Sequence, residues 1–204
     1  SPQWAQEKEV LRRRLEKLIS DDFSEKNPLT KAFGAQPREV YRQEARFGDS
    51  ENGTFSLDLG DEQLRVRGSI DRMDRQGDRV IVVDYKSGST PIRKDQIERG
   101  RNFQMMVYLL AAQALIDADA SPDAPTEVAG GVFWKIGGET LGSVSAEDDA
   151  EVIEAGKDHI RRYLERARAG DFAAHANKLD GGKCASYCDF HQFCRVNSTH
   201  QRKR

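Results

Sequence analysis

Apolar and polar positions follow a helical period at the start of the chain. Trp4, Val10, Leu11, Leu15, Leu18 and Ile19 fall near one face and charges fill the others, which predicts an amphipathic helix over residues 4–19. A loop with Pro28, Gly34 and Pro37 follows. The period then drops to two: "EVYRQEARF" at 39–47, "TFSLDL" and "QLRVRGSI" read as three strands. Gly77-Asp78 predicts a two-residue turn between "RVRGSIDRMDRQ" and "RVIVVDYK". Residues 95–118 contain "FQMMVYLLAAQALI", a helical run with a wide apolar face. After the proline-interrupted loop "DADASPDAPTE" come two further strands, "VAGGVFWKI" and "ETLGSVS", and a second amphipathic helix at 148–169. From Gly181 the tail has no clear period. Helix, strands, helix, strand, helix is the order expected of an α/β domain around a mixed sheet.

Composition narrows the class. A length of 204 residues suits one domain, or one domain with a short appendage, and 37% hydrophobic residues suffice for a single core. With 32% charged residues, the surface should be densely charged and the protein soluble. A net charge of −2 gives no global sign of a nucleic-acid binder, so polyanion contacts must come from local clusters. "RRR" at 12–14, "RKDQIERGR" at 93–101 and the final "QRKR" are the candidates; a solvated helix face or a chain end accounts for each equally well. No apolar run has the length of a membrane span and no signal peptide opens the chain, so no membrane partner and an intracellular, cytoplasmic location are expected. "SPQWAQEKEV" starts abruptly, as a piece of a longer protein or a chain left by tag removal would. Three cysteines confined to 184–194 do not form a disulfide framework.

The hairpin carries the candidate chemistry. With Gly77-Asp78 at the tip, residues whose numbers sum to 155 face each other, which sets Asp71 opposite Asp84. Like charges so placed repel, and a divalent cation between them removes the conflict. Two carboxylates, the Tyr85 carbonyl and waters suit Mg²⁺ or Mn²⁺, which favour oxygen ligands. Alternation puts Lys86 on the same face as Asp84, where it can hold or help deprotonate an attacking water. Such a centre is suited to phosphodiester hydrolysis. The competing reading is an exposed, salt-bridged tip at "DRMDRQGDR", with Asp84 and Lys86 as a surface ion pair. Against it, both charges end the run "VIVVDYK", which has the character of a buried central strand.

"GSIDRMD", with Asp84 thirteen residues after Asp71 in "VVDYKSG", resembles the PD-(D/E)XK nuclease superfamily, and within it the branch of RecB and AddB nuclease domains and CRISPR-associated RecB-type exonucleases. The resemblance covers residues 39–195. It implies a restriction-endonuclease-like core, a central mixed sheet flanked by helices, with metal-dependent cleavage of DNA. It also implies Asp71 and Asp84 as metal ligands and Lys86 as the catalytic lysine. "NFQMMVYLLAA" resembles the branch's helix motif, with Gln104 and Tyr108 four apart on one face. Those two either hydrogen-bond the DNA backbone, orient the lysine, or merely border a core helix. Glu44 in "YRQEARF" matches the branch's upstream strand glutamate, a further ligand; the alternative is a surface residue paired with Arg42 or Arg46.

Cys184, Cys188 and Cys194 in "KCASYCDFHQFCR" have a spacing that suits zinc or an iron–sulfur centre. The RecB-type branch often carries a 4Fe–4S cluster on one upstream and three C-terminal cysteines, and this tail is similar to the three-cysteine end. Its first gap is wide and no fourth cysteine exists in the chain. The missing ligand is then His191, Asp189 or a residue of an absent N-terminal segment, or the site is vestigial. The expected organisation is a nuclease domain over 1–180 and a cysteine-bearing tail over 181–204 that clips onto it. The function implied is a DNA exonuclease working at ends or single strands, joined to helicase domains or subunits in repair and recombination. A catalytically silent DNA-binding module of the same fold, or a scaffold stabilised by its cysteines, are the alternatives.

Overall fold

The computed structural model describes residues 2–25, 27–49 and 53–172, together with the backbone of 179–180 and 183–184. It divides into two compact units, 1–161 and 162–204. In chain order, α1 (Pro2–Asp22) and the short α2 (Pro28–Phe33) precede β1 (Glu39–Phe47), a ribbon of β2 (Phe55–Asp58) and β3 (Gln63–Val66), and the hairpin of β4 (Gly68–Gln76) and β5 (Arg79–Lys86). Next come α3 (Lys94–Ile97), α4 (Gln104–Asp117), β6 (Glu127–Lys135), β7 (Thr140–Ser145) and α5 (Ala150–Arg168), which runs across the division between units. The second unit adds the two-residue strands β8 (Leu179–Asp180) and β9 (Lys183–Cys184). No helix among the described residues is long and apolar enough to cross a membrane.

Five strands form one mixed sheet in the order β1-β4-β5-β6-β7, antiparallel except for the β5–β6 pair. A parallel pair needs a long crossover, and α3 with α4 supplies it. The sheet is covered on both faces, which explains the uninterrupted apolar run of β5. Val80 and Val82 join Met105, Met106 and Leu109 of α4 in one core, while Ile81 and Val83 meet Leu29 and Trp134 in another. Gly131 lets α4 settle on the sheet, because a β-carbon there would stand 2.3 Å from the Met105 sulfur.

The hairpin register follows the turn. Gly77 has φ of +65°, a conformation open to glycine, at the first central position of the turn. Arg72 pairs with Val83, Met73 with Val82 and Asp74 with Ile81, the expected constant sum.

Three features depart from the sequence pattern. The loop expected near Pro28 contains α2, started by the Asn27 side chain accepting from the Leu29 N–H at 2.8 Å, with Pro28 in the first turn. The helix expected over 95–118 is broken into α3 and α4, because Gly100 and Asn102 both adopt positive φ, +79° and +56°. On α1, Leu18 packs against the second core while Trp4, Val10, Leu11, Leu15 and Ile19 are exposed.

Candidate active site

The C-terminal end of β5 and the first turn of α4 converge. Strand alternation directs Asp84 and Lys86 toward the α4 side, and the seating of α4 at Gly131 brings its first residue, Gln104, above them. Lys86 Nζ donates to Gln104 Oε1 at 2.7 Å. Gln104 Nε2 donates to Asp84 Oδ1 and to the Tyr108 hydroxyl, each at 3.0 Å. One amide therefore aligns lysine, carboxylate and phenol. Gln104 thus touches the lysine directly, an arrangement compatible with orienting it. Tyr108 is braced in turn by the edge of Phe47, ring centres 6.1 Å apart. The ammonium also lies 4.4 Å from the centre of the Phe133 ring, a cation–π contact that holds it over the sheet.

Asp84 is nearly inaccessible, 3% exposed. Its Oδ2 stands 2.6 Å from Lys86 Nζ, but the approach is poorly aligned, so this buried oxygen has an ion contact without a hydrogen bond. Burial pushes the Asp84 carboxyl up from its usual value; Lys86 pulls it down, and the charge of Asp71 adds to the rise.

Asp71 enters from β4 in a way that strand pairing did not foresee. The β4–β5 ladder ends at Arg72 and Val83, before Asp71 and Asp84 can face each other squarely. The Tyr85 N–H instead donates to Asp71 Oδ2 at 2.8 Å. The carboxylate thus replaces a ladder carbonyl at the point where the strands part. Lys86 presents its carbonyl to Ile136 on the β6 side, so alternation turns the N–H and carbonyl of Tyr85 toward β4 and Asp71.

Glu44 lies across the ladder from Asp71. It has φ of +47°, uncommon for a residue with a β-carbon, and its Oε2 accepts from Ser69 Oγ at 3.5 Å. Among the described residues no group of three His, Cys, Asp or Glu side chains is gathered to hold a metal. The partner suggested for Glu44, Arg42, pairs with Asp119 at 2.9 Å. Asp71, Asp84 and the Tyr85 carbonyl offer hard oxygen atoms of the kind a divalent cation takes, and the buried Asp84 Oδ2 has only the Lys86 ammonium against it.

The role of Arg72 was not evident from the sequence. It is tied to Asp74, Asp22 and the Tyr85 hydroxyl, and Asp74 is fully buried. The "DRMDR" stretch is therefore no exposed tip. The signal was present in the i, i+2 spacing of Arg72 and Asp74, which puts both on one strand face. The basic "RRR" segment is partly neutralised, Arg12 and Arg13 pairing with Glu9. The side chains of Cys184, Cys188 and Cys194, and of Asp189 and His191, lie outside the described residues. A cavity of about 710 Å³ is lined by Asp22, Phe23, Asn27, Arg38, Val40 and Arg72 and does not include Asp71, Asp84 or Lys86.

Comparison with known proteins agrees with this geometry. Three curated relatives are helicase–nuclease subunits. An ATP-dependent helicase/deoxyribonuclease subunit of Streptococcus uberis is 35% identical over 102 residues, 50% of this chain and 8% of that protein. The exonuclease/helicase subunit RexB of Streptococcus pneumoniae is 37% identical over 75 residues, 36% of this chain and 7% of that one. An ATP-dependent helicase/deoxyribonuclease subunit of Clostridium perfringens is 31% identical over 96 residues, 42% of this chain and 8% of its own length. The chain thus spans less than a tenth of these relatives. A model of the PD-(D/E)XK nuclease superfamily matches residues 1–195, and the chain belongs to that superfamily.

Proposed function

We propose that this chain is a divalent-cation-dependent nuclease domain that hydrolyses DNA at ends or single strands, as part of a helicase–nuclease. The observation that carries the reading is the cluster of Asp84, Lys86 and Gln104 beside Asp71, at the edge where β4 and β5 separate. Asp71, Asp84 and the Tyr85 carbonyl are the groups that would hold Mg²⁺ or Mn²⁺. Bound there, the cation would polarise a phosphate and stabilise the charge that develops on it. Lys86, bonded to Gln104 and flanked by Asp84, would hold the attacking water. Glu44, across the ladder from Asp71, would be a further ligand or a contact to substrate or water. Helicase partners are inferred from what the relatives are called.

Exposed arginines in the turn that leads into α4, such as Arg99 and Arg101, would meet phosphates. For the tail we propose that Cys184, Cys188 and Cys194 ligate zinc or an iron–sulfur cluster with a fourth donor, His191, Asp189 or a residue outside this chain.

End-labelled single- and double-stranded DNA, incubated with Mg²⁺, Mn²⁺ or chelator, tests the proposal. Cation-dependent degradation lost in Lys86→Ala and Asp84→Ala, with circular dichroism unchanged, supports it. Equal activity in those variants would end the catalytic assignment. Binding without cleavage in the wild type would favour the silent DNA-binding module.

A further inference from the structure

We infer that Arg72 is a positioning residue: anchored on Asp22 of α1, it grips Tyr85 and so sets the edge of β5 that carries Asp84 and Lys86. The inference rests on the cation-dependent reading of the site and extends it to residues on the opposite face of the sheet.

Arg72 follows Asp71 in sequence and sits opposite Val83, the last pair of the hairpin ladder. All five guanidinium protons have acceptors. Nε and Nη2 donate to the two oxygens of Asp74 at 2.5 and 2.7 Å. Nη1 and Nη2 reach the two oxygens of Asp22, the second at 3.2 Å. The remaining Nη1 proton goes to the Tyr85 hydroxyl at 3.1 Å. The network is enclosed, with the Arg72 side chain 12% exposed and that of Asp74 fully buried. Burial works against the guanidinium charge, but the carboxylates of Asp74 and Asp22 more than offset it and hold the group charged.

Consecutive residues of β4 therefore hold the two ends of one residue of β5. Asp71 takes the Tyr85 backbone N–H, and Arg72 takes its hydroxyl on the other face. Asp84 and Lys86 flank Tyr85 and project the opposite way. Beyond Val83 no ladder bond to β4 restrains β5, whose end is held on its other side by the parallel ladder to β6 as far as Lys86 and Lys135, so any rolling of that end would hinge on the β6 ladder. Rolling would swing Asp84, Lys86 and the Tyr85 carbonyl together relative to Asp71. The Tyr85 side chain is the lever that resists it, and Arg72 is its stop. Trp134 steadies the same ring, centres 6.1 Å apart. A lysine at 72 would keep the charge but, with three donors from one point, could not serve three acceptors in a plane.

The test compares Tyr85→Phe, which deletes one hydroxyl, with Arg72→Lys and Asp84→Asn. Mn²⁺ binding is measured by calorimetry on the folded proteins, and unfolding temperature is measured in chelator. Groups that orient ligands affect metal affinity by about ten- to a hundredfold. The expected result is Mn²⁺ affinity lowered about tenfold in Tyr85→Phe and further in Arg72→Lys, with both proteins folded. A purely structural network would lower the unfolding temperature and leave the affinity of the folded protein at the wild-type value. That outcome, with binding lost in Asp84→Asn, overturns the role of Arg72 and leaves the proposed function standing. Wild-type binding in Asp84→Asn overturns the cation site itself. If Arg72→Lys does not fold, Tyr85→Phe alone decides.

Discussion

Replacing Gln104 by leucine removes three hydrogen bonds at once while nearly keeping the side-chain volume. The bonds run to Lys86 at 2.7 Å and to Asp84 and Tyr108 at 3.0 Å each. Lys86 and Tyr108 are only partly buried and can turn to water, so their share should be small, about 0.5–1 kcal/mol each. Asp84 has no such recourse. Its Oδ2 has only the Lys86 ammonium against it, and Gln104 supplies the bond to Oδ1. Loss of a hydrogen bond to a buried charged group costs about 1.5–3 kcal/mol, so the whole substitution should cost about 2.5–5 kcal/mol at neutral pH without divalent cation.

The pH dependence has a definite sign. Asp84 titrates above its usual value in the folded chain, so between the unfolded and folded values the native state holds more protons and stability falls as pH rises. Gln104 donates to the charged form; deleting it widens that window upward. The deficit of Gln104→Leu should then be largest near neutrality and shrink on acidification through the carboxylate range. Urea unfolding of wild type, Gln104→Leu and the control Tyr108→Phe, with chelator and at several pH values, measures it. A deficit below about 0.5 kcal/mol at neutral pH, or one that does not change with pH, would refute the account of Gln104 as the clamp on a buried carboxylate.

Lys86→Ala should slow DNA hydrolysis by about 10²–10⁴-fold while binding in a gel-shift assay persists; comparable loss of both would reassign Lys86 to substrate binding. Asp74→Ala leaves two Arg72 donors buried without acceptors, and thermal unfolding should report a loss of about 3–5 kcal/mol, against less than about 1 if water reaches them. Gly131→Ala forces its new methyl to 2.3 Å from the Met105 sulfur and should cost about 1–3 kcal/mol in the same assay, with Mn²⁺ affinity falling as α4 and Gln104 are displaced. Absorbance near 400 nm, abolished in Cys188→Ser, would support a cluster in the tail, and stoichiometric zinc without colour would select the other ligand.

Short-range sequence information determined the hairpin and which of its side chains share a face. Gly77 supplies the turn backbone, which set the register from Arg72 to Gln76; the apolar run of β5 marked a strand buried on both faces, and alternation put Asp84 and Lys86 together. These follow from turn geometry and a period of two, both of which act within a few residues. Tertiary structure alone decided the rest. Gln104 reaches Asp84 because Gly131 seats α4 on the sheet, a contact across the crossover that no local period encodes. Asp71 bonds to the Tyr85 N–H because the strands diverge at the end of their ladder. Glu44 comes to stand across from Asp71 because β1 pairs with β4, and Arg72 is enclosed because Asp22 arrives from a helix fifty positions earlier. A buried charge is decided by which distant groups meet it, and that information resides in the fold.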